Sequence, residues 1–129
     1  MGYVWLIVSI AAITAHQLFM KEGTLIAGEA SEDLSELADW LLKLVSNPYT
    51  LSAIFFVAVS IIAWAFAMSR LKLSYITPLY AAVPIVFIAI FSLLLFEEDI
   101  TRLGWLGIVI ICAGVFLVSM QRESSDSKA

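Results

Sequence analysis

Four uninterrupted apolar stretches constrain the fold of this chain more than any other feature. They cover residues 3–20, 50–69, 73–96 and 103–120, and none contains an Asp, Glu, Lys or Arg. At about 1.5 Å of rise per residue, a helix of that length crosses a hydrocarbon core of roughly 30 Å. The sequence therefore predicts an all-α membrane protein with four transmembrane helices. They form one domain, residues 1–121, followed by a polar tail, residues 122–129.

Composition agrees with this setting and excludes several classes of protein. Hydrophobic residues make up 62% of the chain and charged residues 14%, whereas soluble proteins are about half apolar and a quarter charged. A net charge of −4 without a basic patch indicates no nucleic-acid partner. Four helices leave little room to enclose a substrate path within one copy. We therefore expect a dimer in the lipid bilayer.

The first loop contains a second kind of helical pattern. Between residues 31 and 45, apolar side chains recur every three or four positions opposite an acidic face. This spacing predicts an amphipathic helix over residues 31–45, lying on the membrane surface rather than crossing it. Asn47 followed by Pro48 then indicates the start of the second span, since Asn caps helices and proline suits the first helical position.

The distribution of basic residues favours one orientation. Arg70, Lys72, Arg122 and Lys128 lie on the side of the termini, and Lys21, Lys43 and Arg102 lie on the other. This count of four against three gives a weak positive-inside bias. We therefore expect both termini in the cytoplasm, and insertion in both orientations stays open.

Uncharged polar residues collect in the first span. They are Ser9, Thr14, His16 and Gln17, with Lys21 at the end. At 100° per residue, Thr14, Gln17 and Lys21 stack on one face and predict a polar strip. Hydrogen bonds between helices are the alternative role for Ser9, Thr14 and Gln17. Because burial of a histidine in a bilayer is costly, His16 favours a polar cavity.

Basic residues at the membrane edges have two possible roles. Lys21 and Arg70 can extend to the lipid headgroups, as such side chains do by default, or they can bind the phosphate of a lipid headgroup. The chain has one cysteine, Cys112, one histidine and no carboxylate within the apolar stretches. We therefore expect no metal site, no cofactor and no enzyme activity.

Prolines and glycines mark the last two spans. Pro78 and Pro84 each remove a backbone donor, so we expect a bend near Pro84. The Pro84 region is then either the wall of a pathway or a simple packing kink. In the fourth span, small residues allow close helix pairing within or between subunits. These are Gly104, Gly107 and Gly114.

Two segments resemble the four-helix, EamA-like branch of the drug/metabolite transporter superfamily. Residues 17–21, Gln-Leu-Phe-Met-Lys, resemble the end of its first helix, and residues 84–115 resemble its closing hairpin. The resemblance implies a bundle like that of the small multidrug resistance exporters. Those exporters depend on a glutamate about eight residues before the lysine, where this chain has Ile13. Proton-coupled export by that mechanism is therefore not expected.

A second branch of the same superfamily resembles this chain in more segments. Residues 1–5, 15–18 and 71–74, together with Trp64, resemble the paired subunits that flip aminoarabinose linked to undecaprenyl phosphate across the bacterial inner membrane. This implies a transporter or flippase subunit for a polyprenyl-phosphate-linked sugar or similar anionic lipid. It implies a homodimer or a heterodimer with a similar four-helix subunit in a bacterial or archaeal inner membrane. The predicted substrate-binding residues are Thr14, His16, Gln17, Lys21, Trp64, Arg70, Tyr80, Pro84 and Glu98.

Two other functions stay open at this point. The chain can be an exporter of small molecules of the multidrug type, with Glu97 or Glu98 supplying proton coupling. It can also be a non-transporting partner of a membrane glycosyltransferase. A solvated loop carboxylate at the membrane edge is the simpler interpretation of both glutamates, because unpaired charges seldom lie deeper.

Overall fold

Five helices make up the structure, a computed structural model that describes the backbone of residues 1–30 and 32–126 and the side chains up to Met120. They are α1 (Gly2–Ala27), α2 (Leu34–Ser46), α3 (Pro48–Met68), α4 (Leu73–Leu95) and α5 (Arg102–Asp126). Those described residues contain no β-strand. Four helices, α1, α3, α4 and the Arg102–Met120 part of α5, are long and apolar enough to cross a membrane. The predicted four-helix membrane bundle with a short helix in its first loop is confirmed.

Helix α1 continues beyond the predicted end of the first span at residue 20. It reaches Ala27 and ends at Gly28, whose φ of 82° lies in the left-handed region that glycine adopts easily. The N–H of Gly28 donates to the carbonyl of Thr24 at 3.0 Å. Lys21 therefore lies on a continuous helix, in a fixed relation to the residues before it.

The loop helix begins later than predicted. Helix α2 starts at Leu34 with Asp33 as its N-cap, and Ser31, where the predicted range began, lies outside the described residues. The indole N–H of Trp40 donates to the carbonyl of Gly28 at 2.8 Å and holds α2 against the end of α1.

The start of α3 follows the predicted capping pattern. The Asn47 side chain accepts a hydrogen bond from the N–H of Tyr49 at 2.9 Å. Pro48 occupies the start of the helix, where its missing N–H costs no helical hydrogen bond.

Helix α1 lies between α3 and α4 and packs most extensively on α3. Small buried residues of α3, Ala53, Ser60, Ala63 and Ala67, allow this close approach. Leu6 and Ile10 of α1 join Ala67 of α3 and Ile76 of α4 in the buried apolar core. This core therefore lies at the N-terminal half of α1.

Helix α5 contacts α4 and buries none of its membrane span inside the chain. A Cβ atom at Gly107 or Gly114 would meet nothing within 4 Å, whereas one at Gly104 would lie 2.9 Å from Cγ2 of Ile100. Gly107 and Gly114 therefore do not pair helices within this chain, and pairing between subunits stays a prediction. Helix α5 continues to Asp126, so the first residues of the predicted polar tail are helical.

Helix α4 runs from Leu73 to Leu95 and includes both prolines. Pro84 is buried in it. The predicted bend and the predicted role of Pro84 as a pathway wall remain predictions.

Candidate functional site

The end of α1 and the loop between α4 and α5 meet in a charged cluster. Lys21 Nζ lies 2.7 Å from Glu98 Oε1, and the Ser92 hydroxyl donates to Glu98 Oε2. The Lys21 ammonium also lies 5.9 Å from the centre of the Phe96 ring. We call Lys21, Ser92, Phe96 and Glu98 the Lys21 cluster. The Lys21 and Glu98 side chains are 42% and 47% exposed, so a ligand can reach both.

A tight turn after α4 places Glu98 over Lys21. Glu97 has a φ of 51°, in the left-handed region that non-glycine residues seldom adopt. The turn brings the N–H of Glu98 to 3.2 Å from the carbonyl of Ser92. Ser92 therefore holds Glu98 through both its backbone and its hydroxyl group.

The same contacts set the charge of Glu98. The hydrogen bond from Lys21, followed by the one from Ser92, holds the pKa of the Glu98 carboxyl below its usual range. At neutral pH the group is a carboxylate that neutralises Lys21. The sequence offered a solvated loop glutamate as the simpler interpretation. Glu98 is indeed exposed in the loop, and in addition it pairs with Lys21.

An apolar groove runs between α1 and α4 and ends beside this cluster. Its volume is about 610 Å³, and we call it the α1–α4 groove. Ile7 and Phe87 in its walls are 66% and 48% exposed, so it opens sideways toward the surrounding bilayer. The lining residues are Ile7, Ile10, Ala11, Thr14, Ala15 and Leu18 of α1 and Leu79, Val83, Phe87 and Phe91 of α4.

The polar strip predicted on α1 reaches this groove only in part. Thr14 lines it, but its hydroxyl donates to the carbonyl of Ile10 at 2.8 Å within the same helix. Gln17 is exposed and Lys21 lies in the charged cluster. The strip therefore leads along α1 to the Lys21 cluster, with Gln17 as its exposed polar member.

Deeper in the bundle, the hydroxyl of Ser60 joins three helices. It donates to the Ser9 carbonyl at 3.0 Å and lies 2.9 Å from the Tyr80 hydroxyl. Because a serine hydroxyl has one proton, Tyr80 is the donor in the second bond. The Tyr80 ring lies 4.2 Å from that of Trp64, centre to centre. Tyr80 and Trp64, both predicted to bind substrate, thus contact each other at mid-depth.

His16 lies on the side of α1 that packs on α3. Its Nδ1 is 2.9 Å from the carbonyl oxygen of Ala53. A carbonyl oxygen can only accept, so Nδ1 carries the proton in this bond. The ring is half-buried, and its contact joins two helices. The substrate contact predicted for His16 stays a prediction.

Arg70 lies at the opposite end of the molecule from Lys21. It is exposed in the turn between α3 and α4, and its Cβ would be 3.2 Å from a Cβ built on Gly2. From Gly2 to Lys21 a helix rises roughly 28 Å at 1.5 Å per residue. The predicted site residues therefore do not line one pocket, because they are distributed over the thickness of a membrane.

Two residues of these contacts were missed by the sequence-based reasoning. Ser60 and Ser92 each lie in an apolar span that contains several other hydroxyl residues, so nothing in the sequence distinguished them. A serine hydroxyl in a membrane helix often bonds to its own backbone, so its partner depends on helix packing.

Few groups in the described part of the chain suit a metal ion. No three His, Cys, Asp or Glu residues lie close enough there to hold one. Cys112 is free and exposed on α5.

Comparison with known proteins gives the family of the chain. The model of the EamA-like transporter family matches residues 1–120. The chain belongs to this family. It is therefore a multi-pass membrane protein of a family of transporters.

Two curated members are similar over nearly their whole length, and each is named as a probable 4-amino-4-deoxy-L-arabinose-phosphoundecaprenol flippase subunit ArnF. The one from Serratia proteamaculans (strain 568) is 32% identical over an alignment of 128 positions that covers 95% of each chain. The one from Proteus mirabilis (strain HI4320) is 28% identical over an alignment of 140 positions, gaps included, that covers 98% of this chain and 97% of the relative. No solved structure gives a significant match.

Proposed function

We propose that this chain is a subunit of a flippase for a polyprenyl-phosphate-linked sugar or a similar anionic lipid. The observation that carries the proposal is the position of Lys21, a reachable cation at the end of an uncharged groove that opens to the bilayer. The names of the two ArnF relatives point to the same class of substrate.

The phosphate of the lipid takes the place of Glu98 at Lys21. A phosphate oxygen accepts the same charge-assisted hydrogen bonds as a carboxylate. Because the Lys21–Glu98 pair is about half exposed, an incoming anion can compete for the ammonium group without entering the core. Gln17, exposed on the same face one helical turn before Lys21, gives the polar headgroup a hydrogen-bonding position on its path through the membrane.

Arg70 binds the phosphate of the lipid on the other side of the membrane. One phosphate cannot contact Arg70 and Lys21 together, since roughly 28 Å of helix separates the two ends. Two basic ends with no charge between them suit a phosphate that is bound first on one side and then on the other. Helix α4, with Pro84 buried in it, is the proposed moving wall.

The working unit is a dimer in the inner membrane of a bacterial or archaeal cell, with both termini in the cytoplasm. A single copy leaves the whole span of α5 unburied and its Gly107 and Gly114 in open space. Pairing with α5 of a second four-helix subunit, identical or similar, would cover this face.

The geometry favours this function over proton-coupled export. A carboxyl group that carries protons needs a pKa near the working pH, whereas the pKa of Glu98 is lowered by Lys21 and Ser92. Glu97, the other candidate, lies exposed in the loop.

The test is lipid movement in liposomes, measured with undecaprenyl phosphate that carries a fluorescent sugar and with a membrane-impermeant quencher. The chain is reconstituted alone and with its candidate partner subunit. Lys21→Gln is expected to abolish movement and to weaken lipid binding about 10-fold or more, as for a lost charge-assisted hydrogen bond of about 1.5–3 kcal/mol.

Lys43→Gln, a change at an exposed lysine of α2, is the matched control and should behave as wild type. Lipid movement and binding unchanged in Lys21→Gln would refute the proposal. Stable binding to a glycosyltransferase without lipid movement in either reconstitution would instead identify a non-transporting partner.

A further inference from the structure

The α1–α4 groove has a shape and a position that specify how one lipid molecule is held. We propose that it holds the phosphate-proximal part of the chain of a polyisoprenyl phosphate while the phosphate of the same molecule binds Lys21. This inference rests on the proposed function and adds the binding site for the hydrophobic part of the substrate.

The chemistry of the walls suits a hydrocarbon chain. Thr14 is the one polar side chain among the lining residues, and its hydroxyl proton is already bonded to the Ile10 carbonyl. The α1 wall of the groove includes the small residues Ala11 and Ala15, and the α4 wall includes the rings of Phe87 and Phe91. A volume of about 610 Å³ lies within the range of small-molecule binding sites.

The groove and the cation belong to one site because they are continuous. Leu18, the last lining residue on α1, is one helical turn before Lys21. Phe91, the last on α4, directly precedes Ser92, which bonds to Glu98. A molecule with its chain in the groove therefore places its polar end at the Lys21 cluster.

One groove leading to the cation favours a lipid with one chain. A polyisoprenyl phosphate has a single chain attached to its phosphate, whereas a phospholipid has two acyl chains to accommodate. A helix of a second subunit fits less well. Although Ala11 and Ala15 are small, the α4 wall has Leu79, Val83, Phe87 and Phe91, none of which is a small residue that lets another helix approach closely.

The experiment measures binding to the full chain in detergent by native mass spectrometry, with undecaprenyl phosphate and phosphatidic acid as separate probes. Ala15→Phe fills the groove and is expected to weaken undecaprenyl phosphate binding at least 10-fold. Ala58→Phe makes the same change at an exposed position of α3 outside the groove and should bind as wild type. Neither variant should change the binding of phosphatidic acid.

A second measurement avoids any effect of Ala15→Phe on folding. Undecaprenyl phosphate with a photoreactive diazirine in its chain is crosslinked to the wild-type protein, and the labelled peptides are identified. Labels in α1 and α4 at groove residues such as Ala15 and Phe87 support the inference. Labels confined to α5 or to the outer face of α3 overturn it.

The outcomes separate this inference from the function on which it rests. If Lys21→Gln loses binding but Ala15→Phe folds and binds as wild type, the groove inference is wrong and the proposed function stands. If Lys21→Gln binds as wild type, the proposed function fails. Equal loss of both lipids in Ala15→Phe, or a change in subunit stoichiometry without loss of lipid, would also overturn the groove inference.

Discussion

Lys21 and Glu98 form an ion pair with 2.7 Å between Nζ and Oε1. It joins the last part of α1 to the loop between α4 and α5, and Ser92 holds the carboxylate from the other side. The residue that we propose to bind a phosphate thus already has an internal anion. Substrate binding is therefore a competition between two anions for one ammonium group.

The competition predicts that Glu98→Gln binds undecaprenyl phosphate several-fold more tightly than wild type. Removal of the internal anion leaves Lys21 without its partner, and the lipid phosphate then replaces a weaker amide contact. Lipid movement should slow, because release becomes harder. Binding is measured by titration in detergent and movement in liposomes.

Glu97→Gln is the matched control, since it removes the same charge from the neighbouring residue without removing a contact to Lys21. It should leave binding unchanged. Equal gains in both variants would show that loop charge, rather than the ion pair, determines the affinity.

The pH dependence of stability follows from the lowered pKa of Glu98. A carboxyl with a lower pKa in the folded state stabilises the fold above its unfolded pKa, about 4.3 for glutamate. This stabilisation is lost as the pH falls through the folded-state pKa. The Tm of the wild type should therefore decrease more than the Tm of Glu98→Gln between pH 7 and the acid range. The difference should be small, because the pair is exposed.

Both proteins are unfolded by heat in detergent at a series of pH values. Parallel curves would contradict the assignment of the ion pair. Repetition in high salt should reduce the difference, since exposed charges are screened.

The membrane spans could be predicted because their cause is local. Apolar length determines whether a helix crosses the bilayer, and Asn47 with Pro48 determines where α3 starts. The ends of helices that lie within polar sequence were predicted less accurately. Lys21 continues α1 without a break, and only Gly28 ends it.

The contacts of the site could be predicted less well, since they depend on packing between helices. Lys21 and Glu98 are both visible in the sequence, but their pairing requires the left-handed turn at Glu97. The packing of α1 on α3 brings His16 to the Ala53 carbonyl. Periodicity placed His16 on a face of α1 without showing which helix covers that face.

The Ser60 hydroxyl is expected to stabilise the bundle by a measurable but modest amount. Ser60→Ala removes its bonds to the Ser9 carbonyl and the Tyr80 hydroxyl. Hydrogen bonds between membrane helices average about 0.6 kcal/mol and reach about 1.7 kcal/mol. A double-mutant cycle with Tyr80→Phe, measured by unfolding in detergent, should give a coupling energy within that range. Additive effects of the two changes would show that the Ser60–Tyr80 bond contributes nothing.

A close approach of α1 and α3, at Gly23 and Thr50, gives the last prediction. A Cβ atom on Gly23 would collide with the Thr50 hydroxyl oxygen. That oxygen is buried and has no hydrogen-bond partner among the described residues. Gly23→Ala should therefore destabilise the protein by about 1–3 kcal/mol, as overpacking does. Thr50→Ala alone should cost little, because it removes an unpaired polar atom.

The sign of the Gly23→Ala effect should change in the Thr50→Ala background. Without the hydroxyl, the new methyl group would meet the Thr50 backbone N and Cβ at 3.4 and 3.5 Å, which are ordinary contacts. Alanine is also about 1 kcal/mol better than glycine within a helix. The double variant should then equal or exceed the Tm of Thr50→Ala. Thr50→Val is the control, because its second methyl group keeps the collision and should give no rescue. Rescue by valine, or none by alanine, would show that α1 and α3 are not in contact at this pair.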